Sequence, residues 1–128
     1  MKENPVQTRI RLDAAQNNSE LWRNNVGACV DNSGRQIRYG LSNDSKELND
    51  VIKSSDLIGI TSIVITPEMV GMTVGVFTAI ETKKSDWVFR LSDARAVAQA
   101  KFHDLVRRAG GLAGFARSVE EYRRIVGR

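Results

Sequence analysis

Two β-rich apolar runs, "DLIGITSIVI" at 56–65 and "TVGVFTAIETK" at 73–83, constrain the fold more than any other feature. Both are dense in Val, Ile and Thr, which suit a pleated, half-buried surface. Each predicts a strand, and "TPEMVGM" between them is a loop short enough for the two to pair as a hairpin. A long helical pattern follows. Ser92 fits an N-cap, and Asp93 to Ala109 forms a helix that Gly110 ends. Its apolar stripe runs through Ala94, Ala98, Phe102, Leu105 and Ala109, flanked by Val97 and Val106. "LAGFA" at 112–116 then returns to a strand. Strands, a helix and another strand predict an α/β sheet with helices packed on it.

The remaining segments fit that plan. Residues 4–16 read as a helix, with Val6, Ile10 and Ala14 at four-residue spacing and Pro5 in the first turn. "NNSE" breaks it. Residues 21–30 and 35–40 predict two strands joined by "DNSG", a good hairpin turn. Residues 42–53 are polar and read as a loop with room for one helical turn. "SVEE" at 118–121 forms a capping box that starts a last short helix. The predicted order is α-β-β-β-β-α-β-α in one domain over 1–128. No repeat, linker or low-complexity tract divides it.

Composition narrows the function classes. The hydrophobic share of 41% supports a packed core. A single cysteine, Cys29, rules out a disulfide framework within the chain and reads as a small core residue. One histidine, His103, leaves a zinc site without its other ligands. No apolar run approaches a membrane span, and "MKENPVQTRIRLDAAQ" lacks the apolar centre of a signal peptide. A cytoplasmic protein is expected. The net charge is +4, and residues 101–128 carry all of it, with seven basic residues, mostly arginine, against three acidic ones. Arginine forks suit phosphate, although a solvated helix face would look the same.

One short stretch carries chemistry. In "AIETKK" a strand would turn Glu81 and Lys83 to the same face, with Ile80 and Thr82 to the other. By itself the pair reads as a weak surface ion pair. Asp56, taken alone, reads as a turn or cap residue. If the two apolar strands are antiparallel neighbours, however, Asp56 lies beside Glu81 at one sheet edge. Adjacent carboxylates repel unless a cation sits between them, and oxygen ligands of this kind suit Mg²⁺ or Mn²⁺. Lys83 would then face a reacting phosphate.

An aspartate followed at a distance by Glu-x-Lys resembles the core of the PD-(D/E)xK nuclease superfamily. More of the chain is similar to one branch, the virus-type replication-repair nuclease (VRR-NUC) domain. The matching pieces are "ENPVQTRIR", "LWRNNVGAC", "RQIRYGL", "SSDLIGI", "IETKK" and "AQAKFHDLVRRAGGLAGFARSVEE", in the family's order and over nearly the whole chain. The ending "GGLAGFARSVEE" is the most specific. One departure is Ser54, where the family often has a glycine two residues before the aspartate.

The resemblance implies a restriction-endonuclease-like core, a mixed central sheet flanked by helices. It also implies a metal-dependent phosphodiesterase acting on DNA, expected to be branched. Asp56 and Glu81 would be metal ligands, the Thr82 carbonyl would join them, and Lys83 would be the catalytic lysine. Glu3 matches the family's first-helix glutamate, and Gln99 its glutamine in the long helix. Arg23, Arg38, Lys84, Arg107 and Arg117 would hold the DNA backbone. Trp22 and Trp87 have two readings, a core or interface ring, which is favoured, and a ring stacked on an unpaired base. Standalone members resemble homodimeric junction-resolving enzymes, so a homodimer is expected, in the bacterial host cytoplasm if the chain is phage-encoded. Three other readings remain: a DNA-binding protein without catalysis, an interaction protein on a decayed nuclease fold, and a nuclease directed at RNA.

Overall fold

The computed structural model describes residues 5–127. They form a mixed α/β structure with four α-helices and three two-stranded sheets among the described residues. The chain divides into two compact units, Met1–Gly59 and Ile60–Arg128. No helix among the described residues is long and apolar enough to cross a membrane.

In the first unit, α1 (Pro5–Gln16) starts on Pro5, whose fixed φ suits a first turn. It ends where Asn18 takes a left-handed φ of 62°, which asparagine tolerates. The helix packs on β1 (Ser19–Arg23). β2 (Gly27–Val30) and β3 (Gln36–Tyr39) form the expected antiparallel hairpin, with Gly27 opposite Tyr39 and Val30 opposite Gln36. Its turn is tied by Asp31, whose Oδ1 accepts from the Ser33 hydroxyl at 2.7 Å and the Arg35 amide at 2.9 Å. These bonds, that of Ser33 foremost, hold the Asp31 carboxyl below the usual carboxylate range.

Residues 21–30 are not one strand: after Asn24, whose amide still donates to the Asp56 carbonyl, the chain leaves β1 and forms β2 from Gly27. α2 (Lys46–Val51) lies in the segment expected as a loop with room for one helical turn, capped by the Ser45 hydroxyl, which accepts from the Leu48 amide at 3.1 Å. Asn43 is the buried polar hub. Its Nδ2 donates to the carbonyls of Gly27 and Tyr39, each at 2.8 Å, and its Oδ1 accepts from Arg38 at 2.7 Å. Cys29 is exposed, not a core residue, because it lies on the open face of the hairpin.

β4 (Leu57–Thr61) pairs with β1, not with the next strand. Gly59 makes the pairing possible, since a Cβ there would overlap the Glu20 carbonyl. β4 stops at Thr61 because β1 offers only five residues.

In the second unit, a 3₁₀ turn at Pro67–Met69 precedes β5 (Thr78–Thr82). β5 runs parallel to β6 (Leu112–Ala116), with Thr78 opposite Leu112 and Glu81 opposite Phe115. α3 (Ala94–Arg108) is the crossover and packs on both strands. β5 begins only at Thr78 because that is where β6 begins, so the strand expected from residue 73 has no partner before it. Among the described residues the strands thus form three separate pairs, and β4 does not pair antiparallel with β5 as expected.

The α3 N-cap is Asp93, not Ser92, accepting from the Ala96 amide at 3.0 Å. Its buried face carries Ala96, His103 and Val106, with Gln99 and Ala100 half-buried. The expected stripe is therefore rotated, and Ala94, Ala98 and Phe102 are exposed. Gly110, at φ 97°, makes the left-handed turn into β6. α4 (Val119–Val126) opens with Ser118, whose hydroxyl accepts from the Glu121 amide at 3.2 Å. The Glu121 carboxylate reaches the Arg117 amide instead of completing the box on Ser118.

Candidate active site

Strand alternation puts Glu81 and Lys83 on one face, at the carboxyl end of β5. The Lys83 amide extends the ladder by donating to the Ala116 carbonyl at 2.9 Å, so its side chain starts from a fixed backbone. α3 crosses this face and presents Gln99. The Gln99 amide bridges the other two: Nε2 donates to Glu81 Oε1 at 2.8 Å, and Oε1 accepts from Lys83 Nζ at 2.9 Å. Lys83 Nζ lies 3.9 Å from Glu81 Oε1. The ammonium is thus aligned through an amide rather than locked in a short ion pair. The partners fix the orientation of that amide, since only its oxygen can accept from an ammonium.

Lys83 is half-buried, its side chain 16% exposed, while the Glu81 side chain is 37% exposed. Aromatic rings offset the desolvation of the ammonium. Its Nζ lies 5.2 Å from the Trp87 ring centroid and 5.7 Å from that of Phe115, within the range where a ring quadrupole attracts a cation. Below them, His103 meets Phe115 edge-on at 4.7 Å. It lies one helical turn beyond Gln99, and its buried Nδ1 has no hydrogen-bond partner among the described residues. Burial lowers the His103 pKa, Arg107 lowers it further, and Glu81 and Asp104 pull the other way. His103 is therefore a neutral ring at neutral pH.

The other predicted residues are distributed as follows. Thr82 ends β5, one residue from Glu81. Asp56 belongs to the first unit, where its carbonyl accepts from the Asn24 amide at 2.9 Å. Asn24 Nδ2 also donates to Ser54 Oγ at 2.8 Å and the Ser55 carbonyl at 2.9 Å, pinning the approach to Asp56. Ser54 uses its hydroxyl in turn to donate to the Leu41 carbonyl at 2.7 Å. Glu3 lies outside the described residues. Arg23 and Lys84 are exposed. Arg38 is engaged by Asn43, Arg107 pairs with Asp104 at 3.3 Å, and Arg117 pairs with Glu121 at 2.9 Å.

His103, Phe115 and Asn24 are the residues that the sequence reading missed. His103 follows Gln99 by four, so centring the helix face on Gln99 would have found it. Phe115 is the register partner of Glu81, which becomes visible only once β5 and β6 are known to pair.

The donor chemistry suits a hard divalent ion. Mg²⁺ takes one or two carboxylates or carbonyls and keeps several waters. The Glu81 carboxylate and the neighbouring Thr82 carbonyl are of that kind. Among the described residues, no group of three or more His, Cys, Asp and Glu is gathered in one place. Comparison with protein-family models, curated proteins and solved structures finds no match to this chain.

Proposed function

We propose that this chain is a metal-dependent, structure-selective DNA endonuclease with a PD-(D/E)xK core of the VRR-NUC kind, and that it cuts branched DNA. The observation that carries this reading is the Gln99 amide between the Glu81 carboxylate and the Lys83 ammonium. A surface ion pair needs no such bridge. The bridge holds the ammonium 3.9 Å from the carboxylate, out of direct contact and in a fixed position from which it can meet a phosphate. The placement agrees: in parallel α/β units, ligands bind outside the carboxyl ends of the strands.

Glu81 and the Thr82 carbonyl would hold the ion. Mg²⁺ or Mn²⁺ bound there would offset phosphate charge and acidify a bound water. Lys83 stabilises the charge that develops on the phosphate oxygens. Its ring contacts and the Gln99 bond limit where the ammonium can travel. Gln99 is a positioning residue, and neutral His103 keeps a second cation away from Lys83. Arg23 and Lys84, both exposed, contact phosphates without reading sequence. Cutting two strands of a branched substrate calls for two sites, hence a homodimer. Exposed Val64, Ile65, Val70 and Met72 support an apolar surface between copies.

The test is cleavage of labelled four-way-junction, flap, single-stranded and linear duplex DNA, with a matched RNA, in Mg²⁺, Mn²⁺ or chelator. A Lys83→Ala protein is run beside the wild type. Metal-dependent nicking that the variant loses is expected. Binding without cutting under every metal would refute the proposal and favour a basic DNA-binding protein.

A further inference from the structure

The second unit holds a cleft that the catalytic reading does not use. It has a volume of about 270 Å³ and is lined by Trp87, Val88, Phe89, Phe115, Arg117 and Glu121. Three rings gather there. Trp87 lies 4.7 Å from Phe115 and 6.2 Å from Phe89, and Phe89 lies 5.9 Å from Phe115, measured between centroids. Phe89 is 40% exposed although the other rings are available to cover it. Two of the three rings, those of Trp87 and Phe115, are the ones that attract the Lys83 ammonium. Cleft and polar site therefore share two rings.

We propose that this cleft takes one unpaired nucleobase of the strand whose phosphate meets Lys83 and Glu81. The chemistry of its wall selects that occupant. Aromatic faces stack on any base. The rim adds an ionised acceptor: hydrogen bonds from Arg117 draw the Glu121 carboxyl down to about 2, so it accepts and never donates. An unpaired base exposes the N–H donors that a duplex uses in pairing. Glu121 Oε2 accepts one bond, from Arg117 Nη2, and keeps a lone pair that a base N–H can use and an apolar side chain of a protein partner cannot.

The slot is also held open in advance. The Arg117 guanidinium grips Glu121 through Nε at 3.0 Å and Nη2 at 2.9 Å, while Nη1 donates to the Trp87 carbonyl at 3.1 Å. One side chain thus ties the carboxyl end of β6, the start of α4 and the segment bearing Trp87. This inference rests on the nuclease reading and deepens it: the preferred substrate has an unpaired nucleotide beside the cut.

The test uses Trp22→Phe protein, in which Trp87 is the sole tryptophan. Ca²⁺ replaces Mg²⁺ so that binding is read without cutting. A single-stranded oligonucleotide should quench Trp87 emission saturably. An abasic strand of the same length should bind about 5- to 100-fold more weakly, the range that base stacking carries. Phe89→Ser and Phe89→Leu, both at an exposed ring, should weaken binding of the intact strand by a similar factor and leave abasic binding unchanged. Equal affinity for intact and abasic strands, or unaltered Trp87 emission, would overturn the slot. Cleavage assays on the same proteins separate the two proposals. Cutting without quenching refutes the slot alone, and quenching without cutting in any metal supports the slot and refutes the nuclease.

Discussion

Replacing Gln99 with methionine keeps the side-chain length and removes both bridging hydrogen bonds. Each of these bonds ends on an ionised group, where a bond contributes about 1.5–3 kcal/mol. Water replaces much of the bond to Glu81, whose side chain is 37% exposed. Water reaches Lys83 poorly at 16% exposure, and a thioether accepts weakly. The net destabilisation should therefore be about 2 kcal/mol, close to the full value of one such bond. In urea this lowers the midpoint by about 1 M. Lys83→Met should be measured alone and combined with Gln99→Met. If the bridge is real, the two changes overlap, and the double variant is more stable than additivity predicts by at least about 0.5 kcal/mol. Additive effects would refute the bridge. On the nuclease reading, Gln99→Met also lowers the cleavage rate more than it weakens DNA binding.

His103 predicts a pH dependence. Its folded pKa is depressed below 6.5, so the unfolded state takes up the proton first. The stability from the neutral ring is full above the unfolded pKa and is lost as pH falls through the folded one. The slope is at most about 1.4 kcal/mol per pH unit. Urea midpoints at pH 7.5 and 5.5 should fall more for wild type than for His103→Leu, and equal falls would remove His103 as the cause. Gly59→Ala forces a methyl group onto the Glu20 carbonyl and should cost at least about 1–3 kcal/mol. A wild-type thermal midpoint in that variant would mean the β1–β4 approach is looser than described.

Local chemistry was legible in the sequence, and pairing was not. The turn at Asp31–Gly34, the Ser118 cap, the start of α1 at Pro5 and the Gly110 stop each rest on one or two residues whose side chain or φ decides the outcome. Strand partners depend on the whole chain. β5 was matched in sequence to its predecessor β4, yet it pairs with β6 beyond a helix. The expected nearness of Asp56 to Glu81 rested on that β4–β5 pairing. Glu81 and Lys83 were found because strand alternation is local. Gln99 joined them by resemblance to a family helix, while the apolar count on α3 favoured a different face. Small residues explain that error: Ala94 and Ala98 bury too little area to orient a helix against a polar trio.

The parallel pairing of β5 with β6 also sets an order in time. The ribosome adds about 5–20 residues per second, and domains fold as their parts emerge. Glu81 and Lys83 are made first, then the whole of α3, and only then residues 112–116. Until those arrive, the Lys83 amide lacks the Ala116 carbonyl, and the Phe115 ring is not yet near the ammonium. A nascent chain stalled between residues 99 and 112 holds every member of the Glu81–Gln99–Lys83 trio but lacks the β6 contacts that fix Lys83. Synthesis itself thus delays the assembly of this face.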